Sequence, residues 1–247
     1  MKIHCDWGPD GADAASRWAS VVAVVDVLSF TTTLTVAADR GIAVRPYPWR
    51  GPGAAEFARE QRATLAVGRR KAAPGQVSLS PRTVRDSAGV ERLVLPSPNG
   101  SAISARLAGG GATVVGVSLR NAPAAAAWVR RRLPGGAVAV IAAGERWPGG
   151  ALRPAVEDLW GAGAFLTHLV RRGADEPSPE AGAALAAYRS VADGLAASLD
   201  ACVSGRELHD HGFGGDVAIA AEFGASTSVP VLRDGWYVAD QDSPAAL

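Results

Sequence analysis

Acidic and basic side chains crowd into one short stretch of this chain. Glu145 and Arg146 lie in a loop rich in Gly and Pro, and Arg153, Glu157 and Asp158 follow soon after it. Carboxylates in such a group can act as general acids or bases, and a few of them can hold a hard divalent cation. We therefore predict Glu145, Glu157 and Asp158 as ligands of Mg²⁺, which binds carboxylates together with waters and substrate phosphate.

The same acids have a second explanation. A helix is predicted over Pro154–Arg171, and acids in a first helical turn stabilise a helix by about a few tenths of a kcal/mol through its dipole. Their position favours a functional role, because the apolar run Val138–Ala142 predicts a buried strand just before the loop. In an α/β fold, ligands bind where a strand passes into a helix.

Asp26 and two threonines mark another passage from strand to helix. Asp26 interrupts the β-branched run Val21–Leu28, and an unpaired buried carboxylate costs on the order of several kcal/mol. The hydroxyls of Thr31 and Thr32 follow at the start of the next helix and suit a phosphate or sulfonate group. Asp26 is thus a candidate catalytic residue and the threonines are candidate substrate ligands, with helix capping and packing as the alternative for the threonines.

Two further strand ends carry polar residues. The sequence SPNGS follows one predicted strand and begins a helix, where free N–H groups and hydroxyls form a cradle for an anion. Its candidate substrate ligands are Ser97, Asn99, Gly100 and Ser101. An ordinary Pro-Asn-Gly turn with a serine cap is the alternative. Arg120 and Asn121 occupy the same position in the following unit and are also candidate substrate ligands.

These residues need a scaffold that brings strand ends together. Apolar runs that predict strands alternate with helical segments, and three strand–loop–helix units follow one another between residues 92 and 171. We predict an α/β fold with a largely parallel sheet, built from consecutive βα units with helices on both faces. The polar strand ends would then share one edge of the sheet. Residues 1–247 are interpreted as a single α/β domain, with a sub-domain break near residues 173–179 as the alternative.

Composition excludes several classes of partner. The formal net charge of +1 gives no electrostatic basis for binding nucleic acid or an acidic membrane surface. No apolar run reaches the roughly 18 residues of a transmembrane helix, and the N-terminus lacks the apolar core of a signal peptide. Cys5 and Cys202 form no metal-binding pattern, so a reduced, cytoplasmic protein is expected. The expected partner is a small anionic phosphorylated substrate. Whether the chain forms a homo-oligomer stays open.

Several short motifs of this chain occur together in a known family. They are DVLSFTTT, LPSPNGS, SLRNA, AAGER and LRPAVEDLWGAGA, in this order. In order and spacing they resemble the 2-phosphosulfolactate phosphatase family, and the resemblance covers nearly the whole chain. It implies an α/β fold and a Mg²⁺-dependent phosphatase that hydrolyses (2R)-2-phospho-3-sulfolactate to 3-sulfolactate and phosphate.

The chain departs from the family pattern at two positions. Ser29 stands where the family usually has Arg, and Arg69 stands where it usually has Glu. We hypothesise that the two positions are partners and that a positive charge has moved from position 29 to position 69. Direct compensation of this kind needs a contact of about 4 Å. If the charge were lost from the site instead, substrate scope or activity would change.

The predicted mechanism relies on positioning and on neutralising charge, which dominate phosphoryl transfer. The candidate catalytic residues are Asp26, Glu145, Arg146 and Asp158. Mg²⁺ would polarise the phosphate and activate or orient a water molecule. Arg120 and Arg146 would neutralise the anionic groups of the substrate.

Two other interpretations stay open. A catalytically altered or inactive member of the family would bind a small anionic metabolite without turning it over. A dinucleotide-dependent enzyme is disfavoured, because no GxGxxG motif follows the first strand.

Overall fold

Ten strands form one large sheet in the computed structural model, which describes residues 1–48, 53–171 and 173–240. They are β1 Lys2–Trp7, β2 Val21–Val25, β3 Ala43–Pro48, β4 Thr64–Leu65, β5 Arg92–Ser97, β6 Thr113–Val117, β7 Ala137–Ala142, β10 Glu176–Pro177, β11 Val229–Arg233 and β12 Trp236–Asp240. A separate small hairpin pairs β8 Glu145–Arg146 with β9 Leu152–Arg153. The order across the large sheet is β10-β1-β7-β2-β6-β11-β12-β3-β5-β4.

Helices pack on both faces of this sheet. They are α1 Gly8–Ala15, α2 Phe30–Asp39, α3 Ala54–Glu60, α4 Pro81–Arg85, α5 Gly100–Leu107, α6 Ala122–Arg132, α7 Val156–Leu169, α8 Pro179–Arg189, α9 Leu195–Ala201, α10 Val203–Asp210 and α11 Gly214–Ala220. Side chains of β2 alternate between two cores: Val21 and Val25 join the core of α6 to α8, and Val22 and Val24 join that of α1, α2 and α5. The continuous apolar run therefore reflects burial on both faces, which confirms the predicted fold class.

The C-terminal hairpin makes the sheet mixed rather than wholly parallel. Strands β10, β1, β7, β2 and β6 run parallel to one another, and so do β3, β5 and β4. The antiparallel hairpin β11–β12 lies between the two groups and pairs antiparallel with β6 and with β3. Three antiparallel steps reverse the direction, so β5 runs opposite to β2 along the ladder.

The polar strand ends nevertheless converge. Five steps separate β2 from β5 in the sheet, and a twist of about 20–25° per step accumulates to roughly 100–125°. A twist of this size allows the carboxyl ends of β5 and β2 to approach each other. The result is direct contact, since the backbone N–H of Gly100 donates to Asp26 Oδ2 at 2.8 Å. The polar ends of β2 and β5 therefore meet as expected, although the two strands run in opposite directions along the ladder.

Several element boundaries differ from the predicted ones. The helix predicted over Pro154–Arg171 begins at Val156, and Pro154 lies before it. The Gly, Pro and Ser content of Gly68–Arg85 predicts a loop, but this segment contains a 3₁₀ turn, Arg69–Lys71, and α4. Residues 173–179, the alternative domain break, contain β10, which pairs with β1 at the edge of the large sheet.

In the part of the chain that the structure describes, every helix is too short or too polar to cross a membrane.

Candidate active site

Asp26 is buried directly after β2 and joins the starts of two helices. Its Oδ1 accepts a hydrogen bond from the backbone N–H of Phe30 at 3.1 Å, and its Oδ2 accepts the one from Gly100. Only glycine fits at position 100, because a Cβ there would lie 2.3 Å from the Phe30 ring and 2.7 Å from Asp26 Oδ2. Burial raises the pKa of Asp26 to about 6, although both N–H donors oppose the shift.

Asp158 likewise accepts hydrogen bonds from backbone N–H groups, here in the loops that follow β2 and β7. Its Oδ1 accepts from the backbone N–H of Val27 at 2.7 Å, and its Oδ2 accepts from Gly144 at 2.8 Å. Burial, and then the charge of the neighbouring Asp26, raise the pKa of Asp158 well above its ordinary value. Asp26 and Asp158 therefore fix the backbone of the site while they add two buried acids to it.

Glu145 begins β8 and reaches the same region from the opposite side. Its Oε2 accepts a hydrogen bond from Asn99 Nδ2 at 2.9 Å. Since Gly100 binds Asp26, the Asn99–Gly100 turn holds one carboxylate with each residue. Burial, and then the charge of Asp26, raise the pKa of Glu145 to about 7. A carboxyl group with such a pKa can exchange a proton at neutral pH.

Glu157 is the fourth buried acid, with 2% of its surface exposed. It lies near the thiol of Cys202, whose pKa is raised to about 12 by burial and then by the charge of Glu157. Its charge also raises the pKa values of Asp26, Glu145 and Asp158. We call Asp26, Glu145, Glu157 and Asp158 the acidic cluster; its members repel one another when they are ionised.

The acidic cluster offers carboxylates to Mg²⁺ but not a complete set of ligands. Among the described residues, no three or more His, Cys, Asp or Glu side chains are arranged as a ready-made metal site. The predicted ligands Glu145, Glu157 and Asp158 are thus not preassembled, and that ligand set stays a prediction. Mg²⁺ commonly takes only one or two carboxylates, with waters and substrate phosphate as its other ligands. The mutual repulsion of buried acids and the partly free carboxylate of Glu145 fit such a cation.

A pocket of about 620 Å³ opens beside the acidic cluster, and Glu145 lines it. One wall is basic and consists of Arg69, Arg70 and Lys71 from the 3₁₀ turn. The other lining residues are Leu28, Gly68, Leu79, Ser204, Glu207, Leu208, His211 and Phe213. The three cations of this wall suit an anionic ligand, and Glu145 and Glu207 are the carboxylates of the same lining. A second cavity, of about 670 Å³ beside β1, is lined by none of the predicted site residues.

Ser29 and Arg69 are in contact, as the hypothesis of a moved charge requires. Arg69 Nη2 donates a hydrogen bond to Ser29 Oγ, and Arg69 Nε forms an ion pair with Asp216 Oδ2 at 3.0 Å. The charge of Arg69 lowers the pKa of Asp26 against the effect of burial. Arg69 thus belongs to the basic wall and is also close enough to the acidic cluster for its charge to act on Asp26.

The predicted hydroxyl ligands bind the protein's own backbone. Thr31 Oγ1 donates to Asp26 O at 2.8 Å, and Thr32 Oγ1 donates to Val27 O at 2.7 Å. Ser101 Oγ donates to Leu95 O at 2.7 Å, and Ser97 Oγ accepts from the N–H of Asn99 at 3.4 Å. These side chains are buried around the acidic cluster. Their contacts show a structural role, and their role as substrate ligands stays a prediction.

Arg120, Asn121 and Arg146 lie outside the lining of the pocket. Arg120 donates to Asp39 Oδ2 at 3.0 Å and to Glu222 Oε2 at 3.2 Å, in a network between helices. Asn121 Oδ1 accepts from the backbone N–H of Ser118, and its amide group donates to two carbonyls. Arg146 donates to Gly150 O at 3.0 Å within its own hairpin and is exposed. None of these three residues lines the pocket together with Glu145.

Sequence reasoning missed the C-terminal side of the site. Helix α10 supplies Ser204 to the pocket, the turn between α10 and α11 supplies His211 and Phe213, and α11 supplies Asp216 to Arg69. They lie far from Glu145 in sequence, so no local spacing relates them. The signal that could have found them is the dense SGRELHDHGFGGD segment, in which polar residues and glycines alternate.

Buried acids beside a cation-lined pocket, at converging strand ends of an α/β sheet, define the class: an enzyme site for an anionic substrate. Residues 9–235 match the family described as 2-phosphosulpholactate phosphatase, and the chain belongs to that family. It is therefore a phosphatase by family, that is, a phosphoric monoester hydrolase. A probable 2-phosphosulfolactate phosphatase of Thermus thermophilus is 32% identical over 216 residues, which cover 86% of this chain and 88% of that protein.

Proposed function

We propose that this chain hydrolyses 2-phosphosulfolactate, or a related 2-phospho acid, to the hydroxy acid and phosphate in a Mg²⁺-dependent reaction. The observation that carries the proposal is the position of Glu145. It belongs to the acidic cluster and also lines the basic pocket. A phosphomonoester in the pocket would thus have cations on one side and a carboxylate at its reacting end. Family membership supports the same chemistry.

The basic wall would bind the substrate's anions. Arg69, Arg70 and Lys71 provide positive charge for the phosphoryl group and for a carboxylate or sulfonate. Arginine suits such groups because its planar donors match two oxygens at once. The anionic groups of such a substrate would face the basic wall, and its reacting phosphoryl group would face Glu145.

The acidic cluster would hold the cation and handle the proton. Glu145, with Asp26, Glu157 or Asp158, is the proposed ligand set. When bound, Mg²⁺ would neutralise charge on the phosphoryl oxygens and lower the pKa of a coordinated water. Glu145 Oε2 is held by Asn99, which leaves Oε1 for a proton or the cation. In hydrolysis, a water oxygen forms the new bond to phosphorus and the water gives up one proton. The ester P–O bond breaks, and the departing alkoxide takes up one proton, so that the hydroxy acid and phosphate are formed in balance.

Phosphate release with 2-phosphosulfolactate, 2-phospholactate and p-nitrophenyl phosphate tests the proposal, in Mg²⁺ and in EDTA. We expect release that depends on Mg²⁺ and falls by about 10²-fold or more in Glu145→Gln. Glu60→Gln, on an exposed position of α3, is the matched control. Binding of these compounds without Mg²⁺-stimulated release would favour the alternative, an inactive family member that binds an anionic metabolite.

The remaining partner and location expectations belong to the proposal as well. A small phosphorylated acid is the proposed partner, without nucleic acid or membrane. A cytoplasmic location is supported by Cys5 and Cys202, both of which are buried free thiols. Fractionation of the cells that express the protein would test that location.

A further inference from the structure

Asp216 is buried behind the basic wall and outside the pocket lining. It lies in the first turn of α11 and exposes 1% of its surface. Its Oδ2 pairs with Arg69 Nε at 3.0 Å, and its Oδ1 accepts a hydrogen bond from Ser80 Oγ. Both carboxylate oxygens are thus in use, and one of them holds a residue that lines the pocket.

Arg69 is fixed at two points of its guanidinium group. Nε is held by Asp216 from behind, and Nη2 donates to Ser29 Oγ at the start of α2. Two contacts on one planar group determine its orientation as well as its place. A guanidinium has five N–H donors, so donors beyond these two contacts remain for a ligand. By contrast, Arg70 and Lys71 are exposed side chains of the same turn.

Ser80, which donates a hydrogen bond to Asp216, is itself buried and hydrogen-bonded. Ser80, 3% exposed, precedes α4, and its backbone N–H donates to Ser78 Oγ at 3.1 Å. Asp216 therefore links two helices, α4 and α11, to the 3₁₀ turn that carries Arg69. An unpaired buried carboxylate would be costly, so Asp216 and Arg69 require each other.

We infer that Asp216 is a positioning residue that, with Ser80, holds the Arg69 guanidinium as the oriented anion-binding group of the pocket. The inference rests on the proposed function for its substrate, the phosphoryl or carboxylate group of a phosphomonoester. Arg69 contacts the anion and Asp216 acts only through Arg69. Arg70 and Lys71 add attraction at longer range.

Orthophosphate binding, measured by calorimetry, tests this arrangement without turnover. Asp216→Asn removes the negative charge that pairs with Arg69 Nε, so the guanidinium loses its ion pair and is held less firmly. We expect phosphate affinity to fall about tenfold or more, as expected for the loss of a charge-assisted contact. The control Asp86→Asn, at an exposed aspartate after α4, should bind phosphate like the parent protein.

Chemical rescue separates positioning from mere structural support. Guanidinium ion added to Arg69→Ala should restore phosphate binding, and it should fail in the double variant Arg69→Ala with Asp216→Asn. If Asp216→Asn does not fold, Ser80→Ala takes its place and should weaken binding in the same direction. Unchanged phosphate affinity in folded Arg69→Ala, or rescue that is equal without Asp216, would overturn the inference. Absence of turnover with every 2-phospho acid would instead count against the proposed function alone.

Discussion

Replacing Glu145 with glutamine should make the metal-free protein more stable at pH 8 while it removes activity. Glutamine has nearly the same shape and its carbonyl oxygen can still accept the hydrogen bond from Asn99. What it removes is a negative charge that burial and Asp26 disfavour. The pKa of Glu145 rises from 4.5 to about 7, and each unit corresponds to about 1.36 kcal/mol. The ionised carboxylate therefore destabilises the fold by on the order of 3 kcal/mol.

The sign of the pH dependence follows from the direction of this shift. A carboxyl group whose pKa is raised in the folded state lowers the stability increasingly as pH rises from its unfolded value through its folded value. The full penalty is present above pH 7 and falls below about 1 kcal/mol near pH 5. At pH 8, Glu145→Gln should unfold at a temperature roughly 6–12 °C higher than the parent chain, given about 2–4 °C per kcal/mol for a chain of this size.

Thermal unfolding followed by circular dichroism in EDTA, at pH 5 and pH 8, measures this difference. The control Glu60→Gln replaces an exposed glutamate and should leave the unfolding temperature nearly unchanged at both pH values. Mg²⁺ should raise the unfolding temperature of the parent chain more than that of Glu145→Gln, because a bound ligand stabilises the state that binds it. The reasoning is refuted if Glu145→Gln gains no stability at pH 8, or gains as much at pH 5.

Two other predictions concern contacts between distant segments. Ser29→Arg and Arg69→Glu should each lower kcat/KM, and the double variant should recover at least about 1 kcal/mol of the summed losses, because the side chains touch; strictly additive losses would contradict the charge exchange. Gly163→Ala should lower the free energy of unfolding by about 1–3 kcal/mol or more, because its Cβ would lie 2.1 Å from the carbonyl oxygen of Ala184. Urea unfolding measures this, with Gly182→Ala, which meets nothing within 4 Å, as the control.

Local sequence patterns predicted most helices and strands, but they did not predict which strands pair with each other in the sheet. The run of β-branched residues in β2 and the Asn-Gly turn after β5 could be read directly, because burial on two faces and turn chemistry leave local signals. The hairpin β8–β9 was missed, because each strand has only two residues and lies among glycines. Which strands become neighbours depends on contacts across the whole chain, so the central place of β11–β12 left no local signal.

In the candidate active site, too, local patterns predicted some features and missed those that depend on distant contacts. Burial of Asp26 followed from its place in an apolar run, whereas burial of Asp158 was not predicted. The contact of Asn99 and Gly100 with the acidic cluster followed from the expected convergence of strand ends. The sequence did not predict the direction in which a long side chain such as that of Arg120 points. Arg120 stands at a strand end as expected, yet Asp39 and Glu222 hold it between helices. A strand end limits where Cα lies, whereas nearby charges decide where a guanidinium points.

The C-terminal hairpin has a consequence for the order of assembly. Strands β11 and β12 are the last elements that the structure describes, yet they join the two parallel groups of the sheet. During synthesis from the N-terminus, β6 and β3 wait for neighbours made some hundred or more residues later. Asp26 and Gly100 come from the two different groups, so their contact joins segments that the C-terminal hairpin also links through the sheet. Binding of anions at the pocket should thus report completion of the fold, and long-range pairing of this kind slows folding.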